Sequence, residues 1–479
     1  MIKFLKAKAN VVMYSNDLDA WVPEIWAAET LAILEENMVI GRLIHTDFKD
    51  EVKNFGDVVN TRRPGTFTAE RKTANDDVTI QDADATNVAV PLDQHIHTSF
   101  LIRDGQESLS FEDLVEEYMA PAALSLAQMV DRILLGQVYQ FQTNTVGILG
   151  SLSSSTIKDT ILDARQKMNE NNAHVTGRNL ILGTTSETTA LKEDMFLSAE
   201  QVGDDGTALR EASLGRKLGF DVFMSQNTAG TTVAAGTGNA DELASSAVVG
   251  ATALTLDGSV LDNGQYFWLE GDGQANYVAS GGGTTSVVAG RALKADVAAG
   301  ASNLFEVTAG LVDLSGHTSA GGPSTYPAGY SKRIKVDGSG TPHIGQVVNF
   351  STVSSAAIVA GEYSIVAIPA SGYIVLDRPL DLAIANNYVI NYGPRGDFNF
   401  AFHRNALTLV TRPLAKPKAG TGALAGVANF NGLSMRVVIT YQGVGQGHLV
   451  TMDLLAGVKV LDTNLGCVIV GGEYTETYA

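Results

Sequence analysis

The chain has 479 residues, 45% of them apolar and 18% charged, which fits ordered domains and excludes a wholly disordered chain. Its 33 Lys and Arg against 52 Asp and Glu give a net charge of −19, a poor basis for reading nucleic acid sequence, which needs a basic stripe. One cysteine, Cys467, excludes an intrachain disulfide and any metal site built from several thiolates.

No apolar run reaches the ~18–20 residues needed to span a bilayer. Met1–Asp17 carries lysines but no continuous apolar core, so no signal peptide is read and synthesis in a cytoplasm is expected. Pro23 suits a helix start, and Ile25, Trp26, Ala28, Leu31, Ile33, Leu34 and Met38 give an apolar face at helical spacing. From Asp47 to Ala85 the text is polar and strand-like, without a core of its own, and reads as a long hairpin or arm. Val88–Leu92 and His95–Ile102 return to buried strands.

The strongest helix is expected from Phe111 to about Phe141, with Ser110 as N-cap and Glu112 and Asp113 at the positive end of the dipole. It would run on the order of 48 Å, kinked at Pro121. Further helices are expected over about Ser155–Asn171 and Thr185–Ser198, with strands at Arg178–Gly183 and Leu218–Ser225.

Glycine then dominates: 24 of the 49 glycines lie between Thr228 and Gly393, among Val, Thr, Ser and Ala with frequent turn signals. This reads as an all-β domain inserted into a mixed host. It contains a candidate repeat. One copy runs through Gly264–Leu269, Asn276–Ala279, Thr285–Val288 and Leu293; the other through Gly345–Phe350, Gly361–Val366, Tyr373–Leu376 and Leu380. Phe398–Arg404 then begins a segment that continues through Ala406–Val410, Gly420–Asn431 reads as a flexible loop, and Met435–Thr440, His448–Leu455 and Val458–Val460 read as strands of a closing unit.

Catalytic motifs are missing from the sequence: there is no G-x-S-x-G, H-E-x-x-H, P-loop or EF-hand pattern. Gly443–Gly447 lacks the spacing of a phosphate-cradling turn and reads as a hairpin. His95 and His97 share one face of a strand, but a third metal ligand at suitable spacing is missing. Asp82 and Asp84, and Asp204 and Asp205, read as solvated turn acids rather than calcium ligands. Trp268 alternates with apolar neighbours and reads as core, as does Cys467 in the run Leu465–Val470. No catalytic, cofactor-binding or metal-binding residue is assigned, and the chain is expected not to be an enzyme.

The order of Gly219–Asn227 before the insert, Gly345–Phe350 inside it, and Phe402–Leu407 with Arg412–Leu414 after it resembles the major capsid (coat) proteins of tailed bacteriophages with the Hong Kong 97-type fold. It is most similar to the coat-protein family of the short-tailed Salmonella phages. The resemblance implies an α+β fold with axial and peripheral domains, an extended loop, a long spine helix and an inserted all-β domain. Residues 1–46 would be an N-terminal arm and helix, 47–87 the extended loop, and 88–146 the peripheral domain. Residues 147–227 would begin the axial domain, 228–395 form the insertion, and 396–479 complete the body. It also implies self-assembly into hexamers and pentamers of an icosahedral shell around double-stranded DNA, a separate scaffolding protein, a portal at one vertex, no membrane partner, and a place in the virion. No long, charged, helical scaffolding segment is expected before the coat region, so scaffolding is expected from another gene product. Lys53 and Lys72 lie in or near the proposed loop, but no acceptor is assigned and no covalent crosslink is expected. A shell-forming nanocompartment, another phage tail or decoration protein, and a hydrolase or carbohydrate-binding β-protein are the alternatives.

Overall fold

Helix α1 (Trp21–Asn37) lays its buried Trp26, Ala27, Thr30, Leu31 and Leu34 against the strands Ala423–Phe430 and Leu433–Gln442. The computed structural model describes residues 21–46, 58–63, 67–72, 77, 80–81, 86–103, 118–147, 152–197, 212, 214–228, 233–234, 243–257, 261–269, 272, 274–299, 304–306, 310–314, 325–337, 342–352, 357–393, 397–412, 414–418, 422–430, 433–471 and 474–475. The buried face of α1 turns through Ala27 rather than the expected Ala28, which is exposed. Trp26, Thr30 and Leu34 follow one another at i, i+4 spacing, and Ala27 lies on that side of the helix.

Those strands belong to an antiparallel sheet built on the long strand Gly447–Val460. The Gly420–Asn431 stretch, expected as a flexible loop, holds the first of them, since residues 423–430 pair antiparallel with 433–440 and pack under α1. One of its edges pairs with Gln94–Arg103 over residues 447–456; the other pairs with Leu433–Gln442 and then with Leu407–Arg412. Alternation sends Val450, Met452, Leu454 and Ala456 into the core under α1 and helix α2 (Ala120–Gly136). Asp131 of α2 ties the turn after α1: its carboxylate accepts from the backbone N–H of Val39 (2.8 Å) and Gly41 (3.4 Å).

The structure revises the long-helix expectation. The described α-helix runs over Ala120–Gly136, and a π-helical turn at 118–119 stands just before Pro121. After Gly136 the chain tightens into a 3-10 segment, Gln137–Asn144. Residues 111–117 lie outside the described residues. The 17 residues of α2 span ~26 Å.

A second, mixed sheet has the order Thr145–Val146, Gly466–Gly471, Asp397–His403, Arg178–Leu182, Phe220–Met224, Arg216–Lys217. Its two faces belong to two cores. Phe398, Phe400 and Phe402 face the first core, while Ala401, Cys467 and Ile469 face the second, which helix α3 (Ile157–Glu170) completes with Ile157, Ile161, Ala164 and Met168. The expected helix over Thr185–Ser198 is two shorter ones, α4 (Thr184–Leu191) and α5 (Asp194–Leu197). Thr188 and Thr189 turn their hydroxyls back onto the carbonyls of Thr184 and Thr185, a weak helix-forming text, and the chain breaks to bury Phe196. The expected strand Leu218–Ser225 starts instead with a hairpin turn. Leu218 and Gly219 have φ of +51° and +91°, and Lys217 pairs with Phe220.

The chain leaves this sheet and returns to it at one place. Ser225 N–H donates to the Leu182 carbonyl (3.1 Å), and Gly183 N–H donates to Asn399 Oδ1 (2.7 Å). The strands either side of Arg178–Leu182 therefore carry the exit and the re-entry, ~10 Å apart across two strand spacings.

Between these points most of the described strands form two β units, each with its own core. The first is a five-stranded sheet in the order Leu304–Glu306, Tyr266–Leu269, Asn276–Ser280, Ser286–Ala289, Ala253–Thr255. The second is a closed barrel of Gly310–Asp313, Ile334–Asp337, Tyr373–Leu376, Ile358–Ala367, Val347–Ser351 and Val389–Tyr392. They repeat one plan. Gly264 and Gly345, at φ +89° and +83°, donate to the Val278 and Ile365 carbonyls. Gln265 and Gln346 each return a side-chain oxygen to the N–H three residues earlier, at 3.0 and 3.1 Å. The next strand pair is bulged in both, at Val278/Ser280 and at Ile365/Ala367. Gly250 donates to Leu293 as Gly329 does to Leu380, both at 2.7 Å. Leu243 bridges Leu256 as Val312 pairs Val336 in the strand that closes the barrel.

Candidate functional site

Most of the residues singled out by sequence have structural settings. His95 and His97 lie on the exposed side of Gln94–Arg103, their rings 6.2 Å apart. His95 Nε2 is 3.2 Å from Asp453 Oδ2, and Arg436 holds that carboxylate from two nitrogens, at 2.9 and 2.5 Å. Among the described residues no group of three or more His, Cys, Asp or Glu is arranged to hold a metal ion. Cys467 is buried and burial pushes its thiol up to about 12, so it carries no nucleophilic thiolate near neutral pH. Trp268 is wholly buried. Gly443–Gly447 joins two strands, with Gly447 set so close to the Ile102 carbonyl that a Cβ would lie 2.2 Å from it. Lys72 is exposed; Lys53, Asp82, Asp84, Asp204 and Asp205 lie outside the described residues.

The arm is anchored at its base. Val58–Arg63 pairs antiparallel with Thr86–Pro91. Val59, Val90 and Leu92 pack with Val410 of the body, and Arg63 reaches Asp462 at 2.6 Å. Beyond the hairpin, residues 67–72 are all exposed, Phe67 at 64% and Ile80 at 90%. Gln81 clamps the backbone of Thr68 from both sides of its amide, at 2.9 and 2.5 Å. Two large apolar side chains, Phe67 and Ile80, are thus exposed in the segment between the hairpin strands.

A set of buried polar contacts, which sequence reasoning missed, joins the end of α2 to the β units. Gln137 donates to Asp377 Oδ2 (2.7 Å), whose other oxygen accepts the Ser364 N–H (2.8 Å). Burial pushes the Asp377 carboxyl up to about 6, against the opposing pull of Arg378. Arg378 donates to the Tyr139 hydroxyl and lies 4.2 Å above the Tyr363 ring. Gly136 allows a close approach where α2 meets the barrel: a Cβ there would sit 3.0 Å from Ser364 Oγ. The two units are joined by Arg291 and Glu362: Arg291 Nη2 lies 2.5 and 2.6 Å from the two carboxylate oxygens, and Tyr266 donates to the same carboxylate (2.7 Å). Lys294, whose ammonium burial pushes down to about 7, points to the Thr145 carbonyl (3.4 Å). The sequence signal was the low density of charge: residues 228–393 hold 19 charged side chains among 166, Arg291, Glu362, Asp377 and Arg378 among them. Chemically these groups fix orientation between parts and present no nucleophile beside a base.

No family model matches the chain, and no curated protein matches it. Among solved structures it is similar to one titled Mycobacterium phage Che8, at 13% identity and TM-score 0.41, covering 90% of each chain. It is also similar to the capsid structure of the cyanophage P-SCSP1u, at 10% identity and TM-score 0.42, covering 90% of this chain and 89% of that one. A third is the mature capsid of bacteriophage PhiM1, at 10% identity and TM-score 0.38, covering 89% and 84%. TM-scores below 0.5 do not define a shared fold.

Proposed function

We propose that the chain is the major capsid protein of a tailed phage, a structural subunit that assembles with copies of itself into the icosahedral shell around double-stranded DNA. The observation that carries this reading is the arm. Phe67 and Ile80 are exposed at 64% and 90% on a stem anchored by Val59, Val90 and Leu92. Exposed apolar groups held out in this way gain free energy only by docking on another surface, and a second copy of the chain supplies one at every position of a symmetric shell. The order of the segments Gly219–Asn227, Gly345–Phe350 and Phe402–Leu407 supports the Hong Kong 97-type fold. The shared exit and re-entry at Leu182–Gly183 supports the reading of 228–395 as an insertion, since an inserted domain needs its two ends close together.

On this reading 47–87 is the loop that overlies a neighbouring subunit, α2 belongs to the spine helix, and the two β units form the accessory domain. A separate scaffolding protein and a portal would be its partners, and the virion its location. The test is sedimentation velocity of the double variant Phe67→Ser, Ile80→Ser beside the unaltered chain. The variant is expected to stay a folded monomer where the unaltered chain forms large particles. Equal assembly by both would remove the arm from the contact.

A further inference from the structure

The repeat gives the two β units the same turn at one corner. In the first, Ala251 N–H donates to the Val248 carbonyl (3.0 Å), Gly250 takes φ +87°, and Leu293 N–H donates to the Ala251 carbonyl (2.9 Å). In the second, Tyr330 N–H donates to the Pro327 carbonyl (3.1 Å), Gly329 takes φ +80°, and Leu380 N–H donates to the Tyr330 carbonyl (3.0 Å). A positive φ at the third position is what a type II turn requires, and glycine supplies it.

The two corners carry different side chains. The first presents Val248 at 64% exposure and Val249 at 60%. The turn asks for neither valine, since such positions favour Gly, Pro, Asn, Asp or Ser. It is held firmly: Ala247 and Val297 exchange backbone bonds (2.9 and 2.8 Å), and Val249 N–H donates to Oδ1 of the exposed Asp296 (2.8 Å). Lys294 of the same segment reaches Thr145 of the body instead (3.4 Å), so the outward charge of this corner is negative. The second corner presents Leu382 at 51% exposure, two residues past Leu380, with Lys332 and Arg333 exposed just after the turn. Tyr330 Oη donates to the Arg333 carbonyl (3.2 Å), and the Arg333 guanidinium lies 4.7 Å from the centre of the Tyr373 ring. Asp381, beside Leu382, is engaged by Tyr363 (3.0 Å) and Arg378 (3.4 Å). Among the described residues Asp296, Lys332 and Arg333 form no ion pair.

We propose that the corner of the first β unit docks on the corner of the second β unit of another copy of the chain, Val248 and Val249 against Leu382 and Asp296 against Lys332 and Arg333. Both corners are exposed in one chain, so the pair forms between copies. Matching like with like would set Asp296 against Asp296, or the two basic residues against themselves, and both are disfavoured. The pairing is therefore head to tail: each copy offers one corner of each kind, and the contact passes from subunit to subunit. A turn already fixed by its own bonds loses little freedom on docking. The inference rests on the shell reading for the presence of many copies side by side.

The test is sedimentation velocity of the full chain over a concentration series. Lys332→Glu with Arg333→Glu makes both corners acidic, and Asp296→Lys makes both basic. Each variant is expected to raise the concentration for half-assembly by about tenfold, with the unfolding temperature of the unassembled chain unchanged. The triple variant exchanges the two signs and is expected to assemble within about twofold of the unaltered chain. If the unaltered chain assembles and the charge variants assemble equally well, or the triple variant is no better than they are, the contact is overturned while the shell reading stands. An unaltered chain that stays a monomer at every concentration overturns both.

Discussion

The two β units share one hydrogen-bonding plan but hold to the body in opposite ways. The first inserts an apolar plug: Trp268, wholly buried, is part of the same core as Phe398, Phe400 and α2. At the matching place in the second unit stands Asn349, which accepts from Asn391 (2.8 Å) and donates to the Gly264 carbonyl of the first unit (2.9 Å). The second unit grips the body through Asp377, Ser364 and Arg378 against Gln137, Gly136 and Tyr139. An apolar plug is insensitive to pH and costly to lose. A buried polar latch fixes one geometry and responds to protonation. One fold thus serves two attachments, because the attachment depends on a few side chains and not on the strand plan.

Trp268→Ala is expected to have the largest effect, a loss of about 3–5 kcal/mol in urea unfolding, since it empties a core shared by unit and body. A loss under about 1 kcal/mol would mean that the plug carries little. Next comes the joint between the units. Glu362→Gln leaves Arg291 with little compensation at 11% exposure and should cost about 2–3 kcal/mol. Adding Arg291→Met should recover part of that loss, and strictly additive single effects would show that the pair is not coupled.

The latch differs from the plug in its pH dependence. Burial raises the carboxyls of Asp377 and Asp131 to about 6 in the folded chain from 3.8. The folded state therefore binds more protons than the unfolded state between roughly pH 4 and 6. Stability should fall as pH rises through that window and level off above it. Asp377→Asn should flatten part of this slope, with Asp131 supplying the remainder; an unchanged slope from thermal scans at several pH values would take Asp377 out of the account. The smallest effect is expected at His95. Its contact with Asp453 is half exposed, Arg436 already serves that carboxylate, and His95→Gln should shift unfolding by less than about 1 kcal/mol.

Local text told more than distant pairing. The Gly-Gln pairs at 264–265 and 345–346 made the repeat readable, because each marks a left-handed turn and a side chain that returns to it. Pro23 and the spacing of Trp26, Leu31 and Leu34 placed α1. The turn at Leu218–Gly219 was hidden, since Leu at φ +51° reads as strand and only tertiary pairing places it there. The break between α4 and α5 depended on where Phe196 could be buried. Pairs such as Arg291–Glu362, Gln137–Asp377 and His95–Asp453 join positions far apart in the chain, and only the fold brings them together. The arm was legible as polar text without a core of its own, but the exposure of Phe67 and Ile80 was not.

The most direct measurement is electron microscopy of the full chain expressed with and without its neighbouring genes. The shell reading expects closed particles tens of nanometres across with them, and closed particles or irregular spirals and tubes without them. A uniform monomer or small oligomer under both conditions would contradict it.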